Sequence, residues 1–488
     1  MENAVKVYNG KFLPKQGLDP SAYGVYPNSI REMEGVLVYM ARESERDVLI
    51  AVGKSDFEGV PDAAGTDCVR APLTHKNADI LRQMFPFCAP RRVLGEKRTI
   101  GVGDRLGIAT SGHIRAFRRF DALPVFAQQS IRELNLTGRT YEDVLDAATF
   151  AVFREGFSHT HGFGADGDHL KTPEEVKYAL SRGYTIITLD CGEHIRASAM
   201  TDAEVSAAYT PWVREADYLE QSVRLDNAVL AFSAEEFRRM ALIYGKAIEF
   251  AESVYHSLLS DADVDFEISI DETVAPTTPA QHYFVAKEMR DRGVKFASLA
   301  PRFCGEFQKG VDYVGDVKQF QREFQVHAKI AEHFGHKISV HSGSDKFKVF
   351  PVVGEETRFH LKTAGTSWLE AMRLVAMKDA PLYREVHRFA LSALEDARRR
   401  YHVSADPSNI PDVSALADGE LPSLFSQSDA RQVIHITYGS ILSAKAHDGS
   451  FLFRDRLFCL WRENEDAYAE LLNAHIGRHL ELLRCKAR

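Results

Sequence analysis

Residues 266–299 have the sequence FEISIDETVAPTTPAQHYFVAKEMRDRGVKFASL, and this stretch decides the fold. It begins with a short β-rich run at 266–270 and ends with another at 295–299. Between them, residues 281–289 have the amphipathic pattern of a helix that lies on a sheet. Two β runs joined by a helical segment predict a βαβ unit, in which the two strands are parallel.

The same pattern recurs from about residue 97 onward. Each β run ends in small or polar residues and is followed by a helical segment. Eight such runs over roughly 270 residues match the size of a (β/α)₈ barrel, so we predict this α/β fold. An open, doubly wound parallel sheet is the alternative. The predicted strands are residues 99–102, 124–127, 162–165, 184–189, 266–270, 295–299, 337–340 and 359–362.

Three regions follow from this pattern. Residues 1–96 mix short apolar runs with turns and predict a small α/β cap. Residues 97–380 are the predicted barrel and catalytic domain, with a helical insertion at about 195–262. Residues 381–488 predict a helical C-terminal extension, in which the basic run 398–400 is typical of a solvated helix face.

The composition is that of a globular protein, with 45% hydrophobic and 26% charged residues among 488. A formal net charge of −9 argues against nucleic acid as a partner. No apolar run is long enough to span a membrane, and the start lacks the pattern of a signal peptide. The six cysteines form no CxxC pair, which is typical of reduced thiols. We therefore expect a cytoplasmic protein with a small-molecule substrate, and the sequence leaves a homo-oligomer open.

Metal-ligating residue types follow several of the predicted strands. Active-site groups of (β/α)₈ barrels gather at the carboxyl ends of the strands. Imidazoles with a carboxylate suit Zn, Mn, Fe or Co. We predict that His169, Glu306 and His341 bind one divalent metal cation, and that His159 and His161 are loop or supporting residues. The alternative is that His169 and His341 are structural hydrogen-bonding groups at strand ends.

Acid–base and anion-binding residues are predicted at the same end of the barrel. Asp168 and Glu272 are the candidate catalytic acid and base. The loop 341–346, with its Ser-Gly-Ser sequence, could direct backbone N–H groups and the Lys346 ammonium at an anion. An ordinary turn with an exposed lysine is the alternative for this loop. Further candidates for binding the substrate are Arg105, Lys171, Arg302 and Lys362.

Several longer motifs resemble those of the tagaturonate epimerase family. The resemblance runs in order from about residue 97 to the C-terminus, and it is weakest in the first 95 or so residues and in the 195–262 insertion. The pair of histidines at 159 and 161 departs from the family pattern. The motifs are residues 103–107, 126–130, 162–171, 269–273, 305–306, 341–347, 362–366 and 434–440.

This resemblance implies a metal-dependent epimerase that interconverts D-tagaturonate and D-fructuronate at C4, in bacterial galacturonate use. C4 lies β to the C2 ketone, so its hydroxyl is placed for retro-aldol cleavage of the C3–C4 bond. A metal ion would stabilise the resulting enediolate as a Lewis acid. We assign Asp168 as acceptor of the C4 hydroxyl proton and Glu272 as donor on the other face. Direct proton exchange is the competing mechanism.

Two other functions stay open at this point. The same site would serve a metal-dependent sugar-acid isomerase or aldolase that does not epimerise. A catalytically silent sugar-acid-binding protein would also carry it.

Overall fold

The computed structural model describes residues 24–61, 67–158, 162–196, 201–219, 222–225 and 228–488. Eight parallel strands pair in chain order, and the eighth pairs with the first to close a barrel. The predicted (β/α)₈ fold is therefore confirmed, and the open sheet is wrong. The strands are β1 Arg98–Val102, β2 Leu123–Ser130, β3 Gly164–Leu170, β4 Ile186–Asp190, β5 Asp265–Ile270, β6 Ser298–Pro301, β7 Lys337–Val340 and β8 Phe359–Thr363.

Two strands extend further than the sequence predicts. The polar residues that we expected beyond the ends of β2 and β3 belong to the strands themselves. The reason is that this barrel has a polar interior, whereas the prediction took only the apolar part of each run as strand. In β5, Glu267 and Ser269 face inward, and they alternate with Ile268 and Ile270, which face the surrounding helices.

A layer of helices surrounds the strands. Several begin with a capping box, such as Thr172 with Glu175 and Thr278 with Gln281, in which each side chain satisfies a free backbone N–H group. In strand order the helices are Thr110–Phe117, Ile131–Thr137, Tyr141–Glu155, Pro173–Ser181, Ala234–Val254, Pro279–Asp291, Val317–Phe334, Phe350–Glu356 and Thr366–Lys378.

The N-terminal part of the described chain forms a separate five-stranded antiparallel sheet. In this sheet the last strand, Cys68–Pro72, lies between Asp47–Val52 and Val60–Pro61. The helix His75–Met84 follows the sheet and lies against the barrel helix Tyr141–Glu155. The strands are Arg31–Met33, Val36–Arg42, Asp47–Val52, Val60–Pro61 and Cys68–Pro72.

The segment between β4 and β5 is not wholly helical. Its described part also contains a two-stranded antiparallel ribbon, Val223–Leu225 with Ala228–Leu230. Two short helices, Asp202–Ala208 and Ala216–Leu219, precede this ribbon.

The C-terminal part is mainly helical and packs against the barrel. Helix Glu465–Leu482 crosses helix Thr110–Phe117, where Gly112 lies so close to Leu472 that a β-carbon would clash with it. The division of the chain at residues 96 and 380 stays a prediction. No helix in the described ranges is long and apolar enough to cross a membrane. The other helices are Ala380–Arg398, Ser428–Ile436, Tyr438–Ser443 and Arg454–Glu463.

Three buried histidines join two barrel helices to the start of β7. The Nδ1 atoms of His282 and His327 are 3.0 Å apart, and so are the Nε2 atoms of His282 and His336. In each pair one nitrogen must donate and the other accept, so protonating all the rings would set N–H groups against each other. Burial lowers the pKa of His327 to about 4 and that of His336 to about 3.

These histidines are expected to make the protein labile in acid. An unfolded histidine has a pKa near 6.5, so the unfolded state binds protons first as the pH falls. Stability is therefore complete above pH 6.5 and decreases from there towards pH 4. His336→Gln keeps a nitrogen near the Nε2 position but does not titrate. It should make the dependence of unfolding free energy on pH shallower by about 1.4 kcal/mol per pH unit.

Chemical unfolding measured at several values between pH 7 and pH 4.5 checks this expectation. His333→Gln is the matched control, because His333 is exposed at the end of helix Val317–Phe334. If the free energy of unfolding depends on pH with the same slope in wild type and in His336→Gln, the three buried histidines do not resist protonation.

Candidate active site

A cavity of about 340 Å³ opens at the carboxyl ends of the strands. Its wall combines the ends of β2, β3, β5, β7 and β8 with the loop after β6 and a segment near residue 401. Acidic, basic and imidazole side chains converge there. They include Arg132, Asp168, His169, Asp271, Glu272, Arg302, Glu306, Lys309, His341 and Lys362.

The alternation of β5 places Asp271 in this cavity. Because side chains two apart share a face of a strand, Asp271 continues the inward row of Glu267 and Ser269. The Ser269 hydroxyl donates a hydrogen bond to the Asp271 carboxylate. Glu272, the next residue, is exposed at the rim and has its carboxylate 3.6 Å from the Lys171 ammonium.

A bulge in β3 places two consecutive residues in the cavity. The ladder between β3 and β4 is regular to Gly167 and resumes at Leu170 with one extra residue in β3. Consecutive residues normally point to opposite faces, but here Asp168 and His169 both line the cavity. His169 has a φ of 55°, in the left-handed region that is unusual for a residue with a side chain. Such backbone strain is typical of functional sites.

Three ligand atoms face one another at the centre of the cavity. One ligand atom each from His169, Asp271 and His341 form a group within 4.8 Å. His341 Nδ1 is 3.2 Å from Asp271 Oδ1, and His169 Nε2 is 4.0 Å from the same oxygen. The two imidazole rings lie 4.8 Å apart between centroids.

Each histidine is oriented by a carboxylate on its other nitrogen. His169 Nδ1 is 2.7 Å from Asp168 Oδ1, and His341 Nε2 is 2.8 Å from Glu267 Oε1. If these nitrogens carry the hydrogens, His169 Nε2 and His341 Nδ1 keep their lone pairs for a cation. Carboxylate–histidine pairs of this kind fix the tautomer and orientation of metal ligands.

Lys362, in the barrel interior, forms ion pairs with the two carboxylates that orient the histidines, Asp168 and Glu267. Its Nζ atom lies 2.7 Å from Asp166 Oδ2, 2.9 Å from Asp168 Oδ1 and 2.8 Å from Glu267 Oε1. All four side chains are buried. We predicted Lys362 as a substrate-binding residue, and this stays a prediction; Lys362 lines the cavity, and three carboxylates surround its ammonium.

The protonation states follow from these contacts. Burial opposes the charge of Asp168, but Lys362 and His169 outweigh it and hold the pKa of Asp168 well below its usual range. Burial also opposes a charge on His341, yet Asp271 and Glu267 raise its pKa to about 10. For Asp166 burial prevails, and its pKa rises to about 6. The carboxylates that favour a proton on His341 also favour a metal cation at this point.

The donor set fits a borderline divalent metal ion. Two imidazole nitrogens and one carboxylate oxygen suit Zn, Mn, Fe or Co better than Mg or Ca. Three protein ligands leave positions open for substrate oxygens. The geometry therefore offers His169, Asp271 and His341 as ligands.

The predicted ligand Glu306 lies on the cavity wall but outside this group. Its backbone pairs with Val314 in a short antiparallel bridge. Arg302, also on the wall, donates a hydrogen bond to the carbonyl of Thr273 and so connects the loops after β5 and β6. The predicted residues His159 and His161 lie outside the described part of the chain.

Two predicted anion-binding residues are buried away from the cavity lining. The Lys346 ammonium donates to the carbonyls of Gln308, Val311 and Ser344 at 2.6 to 2.9 Å. Arg105 pairs with Glu133 at 2.9 Å and stacks on a tyrosine ring. Neither side chain is among the residues that line the cavity.

A second histidine–carboxylate group lies behind the loop after β7. It consists of Asp345, His475 and His479. His479 is engaged at both ring nitrogens, by the backbone N–H of Asp345 and by the carbonyl of His475. Arg431 already neutralises Asp345 at 2.5 Å. This group therefore has internal partners and ties helix Glu465–Leu482 to the loop.

A family model and a curated relative both match this chain over nearly its whole length. The family model described as tagaturonate epimerase (UxaE) matches residues 26–483. The chain is 42% identical over 475 residues to a curated protein of Thermotoga maritima named tagaturonate/fructuronate epimerase. The aligned region covers 94% of this chain and 97% of the relative.

Solved structures give the same result. The native crystal structure of fructuronate-tagaturonate epimerase UxaE from Cohnella laeviribosi is 47% identical, with a TM-score of 0.92 over 95% of this chain and 96% of that one. A glycerol complex of the Cohnella laeviribosi enzyme is 45% identical, with a TM-score of 0.92 over 96% and 98%.

Proposed function

Because this chain belongs to the tagaturonate epimerase family and is an epimerase, we propose that it interconverts D-tagaturonate and D-fructuronate by inverting C4. In this proposal the reaction depends on one divalent metal ion and belongs to bacterial galacturonate use. A cytoplasmic location stays a prediction, and a homo-oligomer stays open.

The observation that supports metal dependence most strongly is the convergence of His169, Asp271 and His341. Their ligand atoms come from the ends of three different strands, yet they lie within 4.8 Å of one another. Asp168 and Glu267 bond the remaining nitrogens of the two imidazoles. When bound, the metal ion supplies Lewis-acid stabilisation for the negative charge that develops on the substrate.

The residues around this group suit a retro-aldol inversion. A base takes the proton of the C4 hydroxyl, the C3–C4 bond breaks, and its electron pair forms the C2–C3 double bond of an enediolate. The aldehyde fragment, C4 to C6, then rotates and adds to C3 through its other face. The new C4 oxygen takes a proton from an acid, and solvent restores both groups.

Asp168 and Glu272 are placed for these two proton transfers. Asp168 Oδ1 is occupied by His169 and Lys362, whereas the one partner of Oδ2 among the described residues is the Gln128 amide at 3.5 Å. We assign Asp168 Oδ2 as the acceptor of the C4 hydroxyl proton, because Asp168 lines the cavity and an ionised carboxylate can take a proton from the substrate. Glu272, two strands away at the exposed rim, is assigned as the donor for the opposite face.

The proposal is tested by incubating purified protein with D-tagaturonate and following the products by NMR. We expect D-fructuronate as the product, loss of turnover with a chelator, and its return on adding Mn²⁺ or Zn²⁺. Formation of an aldose would instead indicate an isomerase, and net release of three-carbon fragments an aldolase. Full activity in chelator-treated, metal-free protein would contradict the metal requirement.

A further inference from the structure

We propose that Lys309 and Arg132 form the site that binds the substrate carboxylate and so select sugar acids over neutral sugars. This inference rests on the proposed function and assigns the anion-binding role to residues that the sequence pattern did not single out.

Among the described residues, three cations that line the cavity have no carboxylate partner: Arg132, Lys309 and Arg302, of which Arg302 is engaged by the Thr273 carbonyl. Lys362 contacts three carboxylates, and Arg400 pairs with Asp396 at 2.8 Å. Within the described ranges, neither Lys309 nor Arg132 has a carboxylate oxygen within 4.0 Å. Both line the cavity, so their charges are available to an anionic ligand.

The loop that carries Lys309 is held rigidly by its backbone carbonyls. The Lys346 ammonium binds the carbonyls of Gln308 and Val311, on either side of Lys309. The Gln432 amide binds the carbonyl of Lys309 itself at 3.0 Å, and Arg431 binds that of Gly310 at 2.8 Å. With the carbonyls engaged, the side chain of Lys309 extends into the cavity from a fixed backbone. Lys346 thus acts as the support of an anion site rather than as its ligand.

Arg132 is held at the mouth of the cavity by an aromatic ring. Its guanidinium stacks on Tyr401 with 4.8 Å to the ring centroid. The adjacent Glu133 pairs with Arg105 at 2.9 Å, and its charge also raises the pKa of Arg132. Burial lowers the pKa of Lys309; the charge of Glu133 opposes this shift, and the positive charges of Arg132 and Arg105 add to it. A bound carboxylate would relieve this repulsion.

The position of the carboxylate in the substrate gives this site a second role. In a 2-ketohexuronate the carboxylate is C6, and it stays on the C4–C6 aldehyde fragment after the C3–C4 bond breaks. A cationic site that binds the C6 carboxylate keeps this fragment in the cavity while the C4 aldehyde group rotates. Loss of this carboxylate site should weaken substrate binding, and it should also release three-carbon fragments that the wild-type protein retains.

The test compares Lys309→Met and Arg132→Met with wild type. With D-tagaturonate we expect kcat/KM to fall about 30-fold or more in each variant, the effect of losing one charge-assisted hydrogen bond. Inhibition constants for D-galactonate should rise in parallel, whereas those for galactitol, its uncharged counterpart, should not change. The variants should also release three-carbon fragments, and Arg132→Lys should recover part of the loss.

Arg399→Met is the matched control, because Arg399 is exposed and lies outside the cavity lining. Unchanged inhibition by D-galactonate in both variants, or equal weakening of D-galactonate and galactitol, would overturn the assignment. Wild-type protein that does not turn over D-tagaturonate but still binds D-galactonate through Lys309 would refute the proposed function and leave the anion site standing.

Discussion

Replacing Lys362 by methionine is expected to lower the free energy of unfolding by about 3–5 kcal/mol, the cost of leaving buried charges without their partner. Lys362 is the ammonium that lies within 3 Å of Asp166, Asp168 and Glu267 in the barrel interior. Without it, three buried carboxylates repel one another. Urea unfolding at pH 7.5 measures the loss.

Two further variants make this prediction specific. Lys177→Met, on the exposed face of helix Pro173–Ser181, should change stability by no more than about 0.5 kcal/mol. Adding Asp166→Asn to Lys362→Met should recover part of the loss, because Asp166 is the carboxylate whose pKa is already raised to about 6. If Lys362→Met is as stable as Lys177→Met, the cluster does not depend on its ammonium.

The second large effect is expected at the ligand group. Asp271→Asn should reduce the affinity for a divalent metal ion by more than about 100-fold, beyond the 10- to 100-fold typical of residues that only support ligands. Turnover should fall by a factor on the order of 10³, because charge stabilisation of several kcal/mol is lost with the metal ion. Metal content after dialysis and kcat/KM with D-tagaturonate are the two measurements.

Glu306→Gln provides the contrast, because Glu306 lies on the same cavity wall but outside the ligand group. It should retain the metal ion. The reverse pattern, with metal lost in Glu306→Gln and kept in Asp271→Asn, would restore the ligand set that the sequence predicts and exclude the one that the geometry favours.

The barrel could be predicted from the sequence because its strands and helices alternate with regular spacing. The polar interior of the barrel was harder to predict, because strand prediction relies on apolar runs. Strand β3, with the sequence GADGDHL, contains no such run. The row of Glu267, Ser269 and Asp271 is visible as an alternation within FEISID. It could have directed attention to Asp271 rather than to Glu272.

Other features depend on structure beyond the local pattern. The bulge that brings Asp168 and His169 together is a property of strand pairing, not of residue type. Lys309 has no distinctive neighbours in the sequence, and its loop is fixed by Lys346 and Gln432 from elsewhere in the chain. Lys346 looked like an anion-binding residue because burial of an isolated lysine cannot be foreseen from a turn motif.

The most direct test of the central claim is a crystal structure with Mn²⁺ located by its anomalous scattering. We predict one strong peak at the carboxyl ends of the strands, bonded to His169 Nε2, His341 Nδ1 and the Asp271 carboxylate. A main peak at Glu306 or at the Asp345, His475 and His479 group, with none between His169 and His341, would contradict the account.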